Sequence, residues 1–208
     1  IGSNAFQNTR NGGAIVAPNV TTIGMQAFSN ARFTRVEFPK CISAESNAFK
    51  SDASPYTLLE AILPALLSVP DYGFSGRREL KTVDLSSVTQ VGGRAFRYCA
   101  SLKILDLPSL EAITGTLTFA NTAEDQSDGY PGMKALILRK EAVCTLAYIN
   151  SFDNSDFADG TAFIYVPRAL VDSYKTATNW STYAAQFRAL EDYTVDGTIT
   201  GALDESKI

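Results

Sequence analysis

Three carboxylates in the stretch SFDNSDFADG, Asp153, Asp156 and Asp159, are of the residue type that suits metal chemistry. Clustered carboxylate oxygens are what a hard divalent cation such as calcium takes. The spacing argues against it. These residues recur at every third position rather than every second, and no glutamate closes the stretch as in an EF-hand loop. A polar loop between buried residues accounts for them better, so no metal or other cofactor is expected. Four arginines, Arg77, Arg78, Arg94 and Arg97, could form a basic stripe for an acidic glycan or a phosphate group. More often such charges form a solvated face offset by nearby acids.

Other chemistries lack their parts. The chain has no histidine, which removes Ser-His-Asp and Cys-His pairs, histidine-ligated zinc and the commonest general base. Cys41, Cys99 and Cys144 are far apart and odd in number, and no CxxC pair exists. All three are expected as free thiols. GxGxxG, P-loop and GxSxG motifs are missing. The chain is therefore expected not to be an enzyme; a hydrolase on a repeat scaffold is the remote alternative. A net charge of −4 disfavours a nucleic-acid partner. No apolar run reaches the length of a membrane span.

What would position any surface residue is a repeat. Phe6, Phe28, Phe49, Phe74, Phe96 and Phe119 close similar phrases such as IGMQAF and VGGRAF, with separations of 22, 21, 25, 22 and 23 residues. A seventh closure is expected at Phe157. Between closures runs an apolar-x-x-apolar-x-apolar element: FTRVEFP at 33–39, LLEAILP at 58–64, LKTVDLS at 80–86, LKILDLP at 102–108 and MKALILR at 133–139, with shortened forms at 13–18 and 163–167. Alternation over its second half predicts a strand with one buried face. Val83 and Leu85, and Leu105 and Leu107 one coil on, are the expected core positions. A period near 22 lies within the leucine-rich repeat range, and one such coil cannot bury its apolar face alone. Stacked coils can, through a parallel sheet and a continuous core.

The pattern AFxxC…L…LDLP…IG…AF resembles the BspA-like leucine-rich repeats of bacterial surface proteins. The segment FIYVPRALVDSYKTATNWSTYAAQFRAL is similar to the part that closes such arrays in proteins of gut-associated bacteria. The resemblance implies a leucine-rich repeat solenoid: short parallel strands stacked into a curved sheet, loop or short-helix returns, a right-handed β/α superhelix and a small helical C-terminal cap. It also implies an extracellular or cell-surface location and a non-catalytic role in recognition or adhesion, with a protein or glycan as ligand. A structural spacer within a larger surface protein is the alternative.

The expected organisation is about seven coils over 1–166 with an irregular loop at 120–132, a helical cap over 167–193 and a tail or linker over 194–208. In the cap, Pro167 suits a first helical position, and Ser181 suits the N-cap of a second helix holding Tyr183 and Phe187. The first coil is expected to be incomplete, shielded by a partner or preceded by further residues. Lining up the strands gives two outward columns. One runs Ala14, Arg35, Glu60, Thr82, Ile104, Ala135, Phe163; the other runs Val16, Glu37, Ile62, Asp84, Asp106, Ile137, Tyr165. Ile104, Ile137, Phe163 and Tyr165 thereby form an apolar patch, the expected binding site. It could be covered by the tail through Val195, Ile199 and Leu203, by a second copy of the chain, or by a ligand. The uncapped N-terminal end is the other candidate for a homodimer.

Overall fold

The computed structural model describes residues 1–10, 12–52, 54–55, 57–123 and 129–193. Its strands are β1 (Ala14–Val16), β2 (Thr22–Ile23), β3 (Arg35–Glu37), β4 (Ser43–Ala44), β5 (Glu60–Ile62), β6 (Ser68–Val69) and β7 (Thr82–Asp84). They continue as β8 (Gln90–Val91), β9 (Ile104–Asp106), β10 (Ala112–Ile113), β11 (Ala135–Ile137), β12 (Thr145–Leu146), β13 (Phe163–Val166) and β14 (Phe187–Ala189). Each of the first six coils contributes a three-residue strand, a turn and a two-residue strand, while the four-residue β13 leads into the C-terminal helical segments. Like strands of successive coils pair in parallel, in the orders β1-β3-β5-β7, β9-β11-β13-β14, β6-β8-β10-β12 and β2-β4. The chain is thus a leucine-rich repeat solenoid of stacked parallel sheets. The register matches the two outward columns: Ala14 pairs with Arg35, Glu60 with Thr82, and Asp106 with Ile137, which in turn pairs with Tyr165. A single continuous sheet does not form; the longer strands split into two sheets between β7 and β9.

The core follows the alternation. Leu85, Leu105 and Leu107 are buried, as are Cys41, Val88 and Leu110 in a second equivalent slot. Val83 is only half-buried, packed at the edge of the cluster. The closing phenylalanines form a continuous column of near-parallel rings. Centroids are 5.1 Å apart for Phe6–Phe28, 5.2 Å for Phe28–Phe49, 5.1 Å for Phe49–Phe74, 5.6 Å for Phe74–Phe96 and 5.8 Å for Phe96–Phe119. Phe6 is the first ring, covered on one side only, and is half-buried. The next ring after Phe119 is Phe152, at 5.0 Å, and not Phe157 as expected. Phe157 lies tilted beside Phe152 at 5.2 Å, inside the short helix α1 (Asp156–Asp159).

Backbone hydrogen bonds explain the motif around each ring. The N–H of the phenylalanine donates to the following coil, as do those of the residues two before and two after it. Tyr72, Phe74 and Gly76 donate to the carbonyls of Gly93 at 2.8 Å, Ala95 at 2.8 Å and Arg97 at 2.7 Å. The residues between bond locally instead; Gly73 donates to Pro70 and Ser75 to Tyr72. Turning alternate N–H groups toward the next coil puts the two flanking positions in the left-handed region: Asn4 and Asn8, Gln26 and Asn30, Arg94 and Tyr98, Leu117 and Asn121. Asparagine tolerates that region best among residues with a side chain. Gly76 fills one such position at φ 76°, where a Cβ would sit 1.8 Å from the carbonyl oxygen of Ser51.

The C-terminal end is closed by aromatic residues. Pro167 precedes a short 3₁₀ turn (Arg168–Leu170) rather than opening it, and α2 (Val171–Thr176) follows. The second helix expected from Ser181 is a 3₁₀ segment, Trp180–Gln186, with Asn179 before it, and Phe187 begins β14 instead of ending a helix. Trp180 and Tyr183 lie 5.9 and 5.0 Å from Phe152, ending the ring column. Trp180 Nε1 donates to Cys144 O at 2.6 Å, Tyr183 Oη to Ile149 O at 2.6 Å, and Asn179 Nδ2 to Leu146 O at 2.7 Å. The Cys144 N–H donates to Tyr174 Oη at 2.8 Å. These side chains satisfy the edge of the last coil, which would otherwise expose unpaired backbone groups.

Candidate binding surface on the turn edge

The left-handed positions aim their side chains out of the stack, one above another at coil spacing. Where asparagine would be the least strained choice, two consecutive coils carry Tyr72, Arg94 and Tyr98. Left-handed backbone costs such residues about 1–2 kcal/mol each, so their presence asks for a compensating role. They build an array of cations and rings. The Arg94 guanidinium lies 5.2 Å from the Tyr72 ring centre and donates from Nη1 to Tyr72 Oη at 2.8 Å, while Lys50 Nζ lies 5.5 Å from the same ring. Tyr98 is contacted by Arg97 at 4.6 Å and Arg78 at 5.4 Å, and Arg97 Nη2 donates to its hydroxyl at 3.1 Å. Arg78 also lies 5.8 Å from the Tyr130 ring, whose hydroxyl donates to Glu79 Oε1 at 3.2 Å. Such cation–ring contacts contribute roughly 0.5–1 kcal/mol at exposed sites, which fixes long side chains in place.

Beside this array is a pocket of about 280 Å³ lined by Arg78, Tyr98, Ala100, Asn121, Ala123, Tyr130 and Asn154. Tyr98, Asn121 and Asn154 occupy the same left-handed position in three successive coils. Asn154 Nδ2 donates to Asn121 Oδ1 at 3.4 Å. Sequence reasoning missed these residues. Their signal was the N-x-F-x-N frame around the closing phenylalanines, with tyrosine and arginine standing at the asparagine positions.

The residues singled out from sequence distribute differently. Of the four arginines, Arg78, Arg94 and Arg97 lie on this edge, but Arg77 points inward and is buried. The apolar patch is not open. Ile137 and Tyr165 are fully buried with Ala135 and Leu190 in a second hydrophobic cluster, and Ile104 and Phe163 are half-buried against it. The cover is the segment that follows β14. Pairing of β14 with β13 brings Leu190 onto these side chains, which removes apolar surface from water. Arg188 lies over the Phe163 ring at 4.2 Å. Val195, Ile199 and Leu203, the expected cover, lie outside the described residues.

The three aspartates do not converge. Asp156 is buried and paired with Lys134 Nζ at 2.7 Å, while Asp159 accepts from the Thr161 N–H at 3.1 Å and hydroxyl at 2.8 Å. No group of three potential metal ligands occurs among the described residues. The thiols of Cys41, Cys99 and Cys144 are free and buried. Burial pushes Cys99 and Cys144 up to about 12, far from the thiolate form a nucleophile needs. No described helix is long and apolar enough to cross a membrane.

No curated protein matches the chain significantly. The BspA type leucine rich repeat region matches in six copies across residues 1–124, and with more than half of its length covered the chain belongs to that family.

Proposed function

We propose that the chain is a non-catalytic recognition module displayed outside the cell, which binds protein or glycan through its solenoid surface. The observation that supports this reading is the turn edge. Tyrosine and arginine occupy strained left-handed positions on adjacent coils, where asparagine or glycine would serve the fold at lower cost. Aromatic residues and arginine are the side chains that most often anchor interfaces. Leucine-rich repeat proteins are generally binding rather than catalytic proteins, and the absence of histidine agrees with that. The test is a screen of the immobilised chain against extracellular-matrix proteins and glycans, run in parallel with a Tyr72→Gly, Arg94→Gly variant. Glycine keeps the left-handed backbone and removes the side chains. Loss of binding in the variant is expected; an unchanged profile would move the site off this edge. Display is tested by labelling intact cells with an antibody to the chain.

A spacer role is the second reading, favoured by the even ring stack from Phe6 to Phe152, which builds a regular column. A spacer would bind nothing in the screen and would tolerate the same substitutions.

A further inference from the structure

We propose that the pocket formed by Tyr98, Asn121 and Asn154 with Arg78 and Tyr130 is a subsite for one sugar ring of a glycan. This rests on the recognition reading above and deepens it by naming the ligand class and the place. The lining is the first argument. It offers two carboxamides, a guanidinium and two phenol groups, and only two alanines as apolar side chains. Carboxamides supply donors and acceptors together, which neighbouring sugar hydroxyls, themselves both donors and acceptors, can satisfy in pairs. The Asn154–Asn121 hydrogen bond uses one donor and one acceptor of the two amides, whose other donors and acceptors exceed what that bond requires.

Charge is the second argument. Glu79 is held at the rim through Tyr130 Oη, and the exposed Asp153 precedes Asn154. With carboxylates beside the lining as well as Arg78 in it, the site suits a ligand recognised by hydroxyls rather than by a full anionic charge. Size is the third. At about 280 Å³ the pocket falls just below the roughly 300–1,000 Å³ of sites for drug-sized ligands, and fits a single ring. The last argument is rigidity. Tyr98 N donates to Ala120 O at 3.1 Å and Asn121 N to Asp153 O at 3.0 Å, so the coil ladder holds Tyr98 and Asn121 before any ligand arrives. A preformed site lowers the ordering cost that weakens binding of small polar ligands.

The experiment is NMR titration of the ¹⁵N-labelled chain with maltotriose, triacetylchitotriose and trigalacturonic acid. At least one of the two neutral trisaccharides should shift the amide resonances of Tyr98, Asn121 and Asn154 with a dissociation constant on the order of millimolar. The Asn121→Gly, Asn154→Gly variant keeps the left-handed backbone and should bind at least about tenfold more weakly with unchanged dispersion of its spectrum. The proposal fails if neither neutral trisaccharide shifts these resonances, if only the uronic acid does, or if the variant binds as the parent does. The two readings separate in the screen described above. A chain that binds a matrix protein there but neither neutral trisaccharide in the titration loses the sugar subsite and keeps its recognition role. A chain that binds nothing in either assay loses both.

Discussion

Arg77 Nη2 donates to the carbonyl oxygen of Phe28 at 2.7 Å, across 49 residues of sequence and two coils of the stack. The same guanidinium reaches Ala31 O at 2.9 Å through Nη1 and Phe49 O at 2.5 Å through Nε. An irregularity of the repeat explains this. Three residues after four of the rings stands a small buried residue, Ala31, Cys99, Thr122 or Ser155, and in the Phe28 and Phe96 coils its N–H returns to the ring residue's carbonyl. In the Phe49 coil that slot holds the exposed Asp52, whose N–H donates to Asn30 Oδ1 instead. Phe49 O is left for another donor, and Arg77, in the same slot one coil on, fills the gap.

Arg77→Met should therefore be destabilising, by about 2–4 kcal/mol, because it strips donors from three carbonyls inside the stack. Arg77→Lys should recover part of the loss through one retained donor. Urea unfolding of the three proteins measures this. A methionine variant within about 0.5 kcal/mol of the parent would show that the carbonyls find other partners.

The strand register carries its own test. Leu85 is buried, so Leu85→Ala should cost roughly 2–5 kcal/mol. Thr82 is exposed on the same strand, and Thr82→Ala should stay within about 0.5 kcal/mol. Val83→Ala should fall between them, since Val83 is half-buried. Thermal or urea denaturation of the three variants gives the order directly.

The second hydrophobic cluster is structural rather than open to solvent. Ile137→Ser with Tyr165→Ser should lower stability by several kcal/mol, on the order of two large-to-small core substitutions. Leu190→Ala should uncover Ile137 and Tyr165 and raise binding of a hydrophobic dye. An unchanged melting temperature in the serine double variant would mean that the cluster opens in solution.

Buried thiols give a pH dependence with a defined sign. Cys99 and Cys144 are raised from 9.0 to about 12 by burial, so the folded chain keeps protons that the unfolded chain releases. Their contribution is complete below pH 9.0 and is lost as pH rises through about 12. The melting temperature should fall across that window, and more gently in a Cys99→Ala, Cys144→Ala variant. At neutral pH the three cysteines should react slowly with a thiol reagent when folded and completely in denaturant.

Sequence alone determined the coil period, the strand register and the buried columns. These depend on local alternation and on identical coils meeting identical neighbours: Leu85, Leu105 and Leu107 are buried because their phrases repeat. Tertiary structure decided whatever breaks the repeat. Arg77 looks like a surface charge beside Arg78, yet it is drawn inward by the Phe49 carbonyl, which the departure of the chain at Asp52 leaves unmatched. Phe152 rather than Phe157 takes the next place in the ring column, because the irregular stretch after Phe119 hides the spacing. Ile137 and Tyr165 sit in the outward columns the alternation assigns, but β14 adds a strand and Leu190 covers them. The pocket at Tyr98, Asn121 and Asn154 joins residues of three coils. Only the stacking distance and the left-handed turns, neither written in any one phrase, bring them together.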